Sequence, residues 1–309
     1  MVLSYDSIMA VNQLIMVAFG SWYIIRLPHK AQSTWWFAAF FVGMLLSSTG
    51  FLVETLIPTG SESAYALQVV LNVAAMGCLV QMVYHLPLND QPGEQRTMLL
   101  LWFVLLGIAL VLLLLIVAAP LGMVSLPTSV SLNLLSLLLP LMLGLSIVVM
   151  VRRTIALSGY WRRPERSVKG MVWVLLHPVG RNAIMVRAFL VMLLLSTLPM
   201  TLILLHHMLS TAVPFGGYLT AMSIVCFYLG MFLVFLHYGG EASSFLERVF
   251  CVALVLLLGL FGIVTLMTTG MRNEQFQQKR GWQVALVEQA LIDNNLSKLP
   301  AEVAYNSAY

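Results

Sequence analysis

The residues best suited to chemistry in this chain are one carboxylate and a histidine pair near the ends of apolar segments. Apart from Glu247 at the beginning of the last apolar run, Glu54 is the only acidic residue inside such a run, and an ionisable group at membrane depth commonly marks a functional site. His206 and His207 are followed by Met208, and imidazole and thioether groups can bind copper or haem iron. Together these side chains could line a cavity that binds a small ligand.

Simpler interpretations of the same residues remain open. Glu54 lies about one turn from the end of its segment, so its carboxylate can reach headgroup water. Neighbouring helix positions point about 100° apart, so His206 and His207 share one ion only where the helix ends, and otherwise they cap the segment. The sequence therefore predicts a ligand site at these three residues, with no metal and no cofactor assigned.

The composition decides what kind of chain carries these residues. Of its 309 residues, 60% are hydrophobic and 9% are charged, whereas a soluble domain has about a quarter of its residues charged. This excludes a soluble globular domain. The net charge of +4 belongs to the membrane edges, where it meets anionic lipid headgroups, and does not indicate nucleic-acid binding.

Eight apolar segments are long enough to cross a bilayer, which takes about 20 residues. They are residues 8–25, 35–57, 65–86, 97–119, 127–151, 188–207, 216–237 and 245–270. The sequence therefore predicts an all-α polytopic membrane protein, with a bundle of eight transmembrane helices over residues 1–270. Residues 271–309 are more polar and contain one helical pattern, which predicts a short extracytoplasmic tail or the beginning of a larger domain.

The orientation follows from a basic segment, residues 152–187, which holds half of the 16 Lys and Arg residues. Lys or Arg residues lie in the loops after the first, third and fifth segments and, after the seventh, at Arg248 near the start of the eighth. The loops after the second, fourth and sixth segments carry neither. Because basic loops stay in the cytoplasm, both termini are predicted to be extracytoplasmic. The residues assigned to the cytoplasmic interface are Arg152, Arg153, Arg162, Arg163, Arg166 and Trp173.

Inside this basic segment, residues 171–176 are apolar but too short to span. They are predicted to lie at the membrane interface, and a loop packed under the bundle is the open alternative. Uncharged polar residues within the apolar segments, including Gln13 and Gln81, are predicted to bond between helices, with a substrate path as the alternative.

The stretch from His237 to Val249 resembles the loop before the last helix in the N-terminal multi-span modules of bacterial sensory receptors. In that family an aromatic residue precedes Glu-Pro-Ser/Thr-Ser/Thr-Phe and a basic residue. The matching residues are Glu241, Ser243, Ser244, Phe245 and Arg248. Ala242 stands where the family has proline.

The resemblance implies a bacterial inner-membrane module that is followed by a cytoplasmic kinase, cyclase or phosphatase domain in its relatives. No catalytic motif occurs in this chain, so we expect a non-catalytic module that senses a signal or small ligand and transmits it by helix rearrangement. The alternative is an accessory subunit of a membrane electron-transport or photosynthetic complex. A protein partner is expected at the tail or at the cytoplasmic loops.

Overall fold

The computed structural model describes most of the chain in two compact units, residues 1–262 and 263–309. The described residues are 5–27, 31–56, 61–86, 92–119, 128–159, 167–208 and 216–238, with shorter pieces between 249 and 288. Within these ranges the first unit forms eight helices and no strand. They are α1 (Tyr5–Arg26), α2 (Gln32–Leu56), α3 (Ser61–Tyr84), α4 (Pro92–Ala118), α5 (Thr128–Leu157), α6 (Val168–Leu176), α7 (Arg181–Met208) and α8 (Gly216–Tyr238).

Four of these helices, α2 to α5, are long and apolar enough over their described residues to cross a membrane. The broken pair of α6 and α7 adds a fifth if it counts as one span. An all-helical chain with several apolar helices is thus confirmed. The expected total of eight transmembrane helices is not supported by the described residues, and residues 245–270 lie largely outside them.

The helices of the first unit close into a ring. Contacts join α1 to α2, α2 to α3, α3 to α5, α5 to α7, α7 to α8, and α8 back to α1. Helix α4 packs against α3 and α5 and exposes a long apolar face, with Leu100 and Leu114 each 66% exposed. A helix that is apolar even where it is exposed is typical of one that faces lipid.

Aromatic side chains fill the space that these helices enclose. Phe37 of α2 is fully buried, and its ring centroid lies 4.5 Å from that of Phe235 on α8 and 5.6 Å from that of Phe189 on α7. One side chain of α2 therefore contacts two helices that lie far from it in the sequence.

Helix ends that adjoin the basic connections lie, where the structure describes them, at one end of the first unit. The Trp36 ring, near the start of α2, lies 5.7 Å from that of His85 just after α3. Arg152, near the end of α5, pairs with Glu94 at the start of α4. Phe37 also meets the first half of α7 and the end of α8, so these helix ends lie on the same side as those of α2 to α5.

The predicted basic loop 152–187 is corrected by the structure. Helix α5 continues through Leu157, so Arg152 and Arg153 are helical, and α7 begins at Arg181 instead of residue 188. The physical reason is that a helix need not end at the membrane boundary, since its backbone bonds are satisfied internally in water as in lipid. Between these helices lies α6, at residues 168–176.

The second unit is described only in part. Residues 277–285 are helical, as the tail pattern predicted, and Trp282 is 60% exposed. The extracytoplasmic position of this tail and its boundary at residue 270 stay predictions.

Candidate functional site

Polar side chains meet where α3 ends, α4 begins and α5 approaches its end. Pro92 opens α4, and proline suits the first helical position because its missing N–H has no helical partner there. Glu94 consequently falls in the first turn, close to Tyr84, the last residue of α3. Arg152 and Arg153 reach the same place from α5. We call Tyr84, Glu94, Arg152 and Arg153 the polar network.

Glu94 is the centre of this network. The Tyr84 hydroxyl donates a hydrogen bond of 2.8 Å to its Oε1, and Arg152 Nη2 donates one of 3.1 Å to its Oε2. The positive end of the α4 dipole also favours a carboxylate in this first turn. One side chain thus connects α3, α4 and α5.

Arg153 is the buried cation of the network. The residue is 1% exposed, and its guanidinium carbon lies 5.3 Å from the centroid of the Tyr84 ring. A buried charge is costly unless its surroundings compensate it, and a desolvated cation–π contact contributes about 2 kcal/mol or more. Tyr84 therefore has two functions, because its ring faces Arg153 and its hydroxyl binds Glu94.

A second group of contacts extends the site to α2. His85 Nδ1 lies 2.8 Å from the carbonyl oxygen of Gln81, and the Gln95 side-chain nitrogen lies 3.0 Å from His85 Nε2. A neutral imidazole that donates from Nδ1 and accepts at Nε2 satisfies both. The Trp36 ring stacks beside His85 in a tilted arrangement.

Near the polar network, the packing of Trp102 requires a glycine at position 77. The indole of Trp102, from α4, lies so close to Gly77 of α3 that a Cβ atom there would overlap three of its atoms. Trp102 also meets Trp36 edge to face, with centroids 6.1 Å apart. The missing side chain at Gly77 is what lets α4 pack closely on α3.

Two of the polar residues predicted to bond between helices, Gln13 and Gln81, behave differently. Gln13 of α1 donates a 3.3 Å hydrogen bond to the Tyr228 hydroxyl on α8, which confirms an interhelical bond at that residue. Gln81 is fully buried, and its amide nitrogen and oxygen make no hydrogen bond in the described structure. For Gln81 the predicted interhelical bond is not found there.

This arrangement links the ends of three helices through one carboxylate. Both carboxylate oxygens of Glu94 are engaged by side chains of other helices, so movement of any one of the three helix ends changes the contacts of the other two. Within the described ranges no cluster of three His, Cys, Asp or Glu residues could hold a metal ion.

Comparison with known proteins identifies no relative of the chain. No family model matches it, and neither a curated protein nor a solved structure does so.

The predicted ligand-binding residues are not brought together by anything the structure describes. The side chains of Glu54, His206 and His207 lie outside the described residues. The backbone of α7 is helical through Met208, so positions 206 and 207 are about 100° apart around the helix axis. This geometry works against a single ion shared by both imidazoles, and the ligand site stays a prediction.

The other predicted residues divide between the network, the surface and the undescribed part. Arg152 is largely exposed, whereas Arg153 is buried, which corrects its expected position in a loop. Trp173 is 61% exposed on α6. The remaining predicted residues, which lie outside the described ranges, are Arg162, Arg163, Arg166, Glu241, Ser243, Ser244, Phe245 and Arg248.

Sequence reasoning missed Tyr84 and Glu94. Glu94 stood in a polar turn with no indication of a partner 58 positions further along the chain. The available signal was its place three residues into a helix that starts at Pro92, where a carboxylate is favoured.

Proposed function

We propose that the chain is a non-catalytic membrane module that senses a signal or small ligand and transmits it by rearrangement of its helices. The polar network is the element through which the rearrangement passes. The observation that carries the proposal is that Glu94 binds side chains from two other helices at the end where the basic connections gather. That end is the cytoplasmic one in the proposed topology.

Burial makes such a network suited to two discrete arrangements. Glu94 is 14% exposed and Arg153 is 1% exposed, so their interactions are screened less than those of a surface pair. A hydrogen bond to a charged group is worth about 1.5–3 kcal/mol. A change of about 1–2 kcal/mol alters a two-state ratio by a factor of roughly 5–30, enough for a signal to shift the populations.

The proposed topology keeps the eight spans and the extracytoplasmic termini that the charge pattern predicts. It is supported by the common end that the basic connections share. The similarity of residues 237–249 to bacterial sensory receptors, together with a location in the inner membrane, belongs to the same proposal.

The experiment that tests the proposal measures the separation of α4 and α5. Spin labels are attached at Thr97→Cys and Ala156→Cys in a background without the native cysteines, and the protein is reconstituted in lipid nanodiscs. We expect a single narrow distance distribution for the parent protein. Glu94→Gln removes the charge that binds Arg152 and adds a second, broader population.

Glu62→Gln is the matched control, because Glu62 also lies in the first turn of a helix and is at the opposite end of α3 from Tyr84. It is expected to leave the distribution unchanged. If Glu94→Gln and Tyr84→Phe both give the parent distribution, the network does not couple these helices and the proposal is wrong.

The accessory-subunit function is the second candidate, and one observation favours it. Val284 of the second unit is 52% exposed on a helix, and the partly exposed Val287 lies on the same face one turn later, which suits docking on a partner. Purification from native membranes in mild detergent separates the two candidates. A stoichiometric partner that carries pigment or haem supports the subunit and counts against the sensor.

A further inference from the structure

The short helix α6 has the geometry of a helix that lies on a membrane surface. Val168, Val172 and Leu176 recur at every fourth position, so they share one stripe of the helix. They are 75%, 49% and 58% exposed. An apolar stripe of this size is unfavourable in water.

A second stripe beside the first carries Lys169, Trp173 and His177, again four residues apart. Trp173 is 61% exposed, and its ring stacks on His177 with centroids 4.1 Å apart. Tryptophan prefers the headgroup layer of a membrane, and lysine can lay its apolar stem along lipid while its ammonium group reaches the phosphates. An aliphatic stripe beside a Trp and Lys stripe is typical of an interfacial helix.

The direction of α6 fits the same position. Its axis is bent 87° from that of α7, so an α7 that crosses the bilayer sets α6 nearly parallel to the membrane plane. Gly180 forms the bend with φ of +98°, a conformation that other residues rarely adopt. Arg187 of α7 donates a hydrogen bond to the carbonyl oxygen of Leu176 and so holds the C-terminal end of α6.

The inner face of α6 contacts the part of α5 that carries the polar network. Val174 is 2% exposed and packs with Ile155, and Val151 and Met171 pack against that pair. Val151 and Ile155 directly flank the turn that holds Arg152 and Arg153. Any shift of α6 is therefore felt at the residues that bind Glu94 and Tyr84.

We infer that α6 is the sensing element for anionic lipid headgroups, and that its seating on the leaflet sets the state of the polar network. The inference rests on the proposed function and names the signal. Charge complementarity supports this partner, because Lys169 and Arg181 flank the exposed stripe, and between residues 158 and 187 the sequence has a single acidic residue, Glu165. Each basic side chain near an anionic surface raises the binding constant for that surface roughly fivefold.

The test compares two reconstituted membranes, one of phosphatidylcholine alone and one of phosphatidylcholine mixed with phosphatidylglycerol. A spin label at Val172→Cys reports the depth of α6 through its accessibility to oxygen and to a water-soluble nickel chelate. We expect the label to be more deeply inserted in the anionic membrane. Lys169→Gln combined with Arg181→Gln should weaken the preference of α6 for the anionic membrane roughly 25-fold. High salt should weaken the same preference in part, because it screens charge.

Two comparisons complete the experiment. A label at Leu114→Cys on the exposed face of α4 should have the same depth in both membranes. The Thr97 and Ala156 label pair should change its distance populations between the two membranes, and the double Gln variant should abolish that change. Equal depth at position 172 in both membranes, or a depth change with an unchanged distance, overturns the inference.

The failure of this inference is distinguishable from failure of the proposed function. If Glu94→Gln still separates α4 from α5 in both membranes while lipid composition has no effect, the network couples the helices but anionic lipid is not its signal.

Discussion

Within the polar network, Arg153 contributes more to stability than the ion pair of Arg152 with Glu94 does. Arg152 is 55% exposed, and exposed ion pairs contribute about 0–1 kcal/mol. Arg153 is buried against Tyr84, and a desolvated cation–π contact contributes about 2 kcal/mol or more. A signal that displaces Tyr84 therefore acts mainly through its contact with Arg153.

Gly77 gives a stability prediction at the scale of one atom. A Cβ there would overlap the Trp102 indole, a rigid ring that is 7% exposed and has little room to move. We expect Gly77→Ala to destabilise the protein by about 1–3 kcal/mol, as overpacking does. Thermal unfolding in mild detergent measures the change.

Gly107 of α4 supplies the control for that substitution. A Cβ at Gly107 meets nothing within 4 Å, so Gly107→Ala should be neutral or stabilising by about 0.5–1 kcal/mol through helix propensity. In addition, Gly77→Ala with Trp102→Phe should lose less stability than the sum of the single variants. A Gly77→Ala protein as stable as the parent would show that the indole does not pack on this glycine.

Among the helices, the aromatic centre is expected to hold α2, α7 and α8 together. Phe37 is fully buried and contacts Phe189 and Phe235. Phe37→Ala should cost about 3–5 kcal/mol, as truncation of a core phenylalanine does. Detergent-induced unfolding followed by circular dichroism measures this loss.

Trp35→Ala is the matched control on the neighbouring residue of α2. Trp35 is 55% exposed, so its removal leaves no internal cavity and should change stability by less than about 1 kcal/mol. Equal losses for the two variants would contradict the packing of Phe37 at the centre of the ring of helices.

The sequence predicted the positions of the helices better than it predicted where they end. Long apolar segments predicted α2 to α5 because a bilayer demands about 20 apolar residues. The end of α5 was predicted too early, since Arg152 and Arg153 end the apolar run but not the helix. Hydropathy detects lipid contact, whereas the backbone hydrogen bonds of a helix continue beyond it.

The network itself could not be predicted from the sequence for a related reason. Tyr84 and Glu94 meet Arg152 and Arg153 only after α3, α4 and α5 pack side by side, and no local periodicity encodes which helices become neighbours. The interfacial position of residues 171–176 was predicted because six apolar residues between basic ones are too few to span, and that position stays a prediction. The stripes of α6 and its bend required the structure.

At the scale of the whole molecule, the orientation of the first unit depends on one question, which is whether its basic end faces the cytoplasm. The contact between Trp36 and His85 and the ion pair of Arg152 with Glu94 tie four helix ends to one side. One labelled residue at that end and one at the opposite end therefore determine which way the first unit faces. Because Lys and Arg stay in the cytoplasm, the basic end should be the inner one.

The measurement uses a background in which Cys78, Cys226 and Cys251 are replaced by serine. Gly93→Cys places a thiol in an open position at the start of α4, and Glu62→Cys places one at the start of α3, the opposite end. In intact cells a membrane-impermeant maleimide should react with Glu62→Cys, and should reach Gly93→Cys only after the membrane is permeabilised. The reverse pattern would place the polar network and α6 outside, where the cytoplasmic leaflet could not be the surface that α6 contacts.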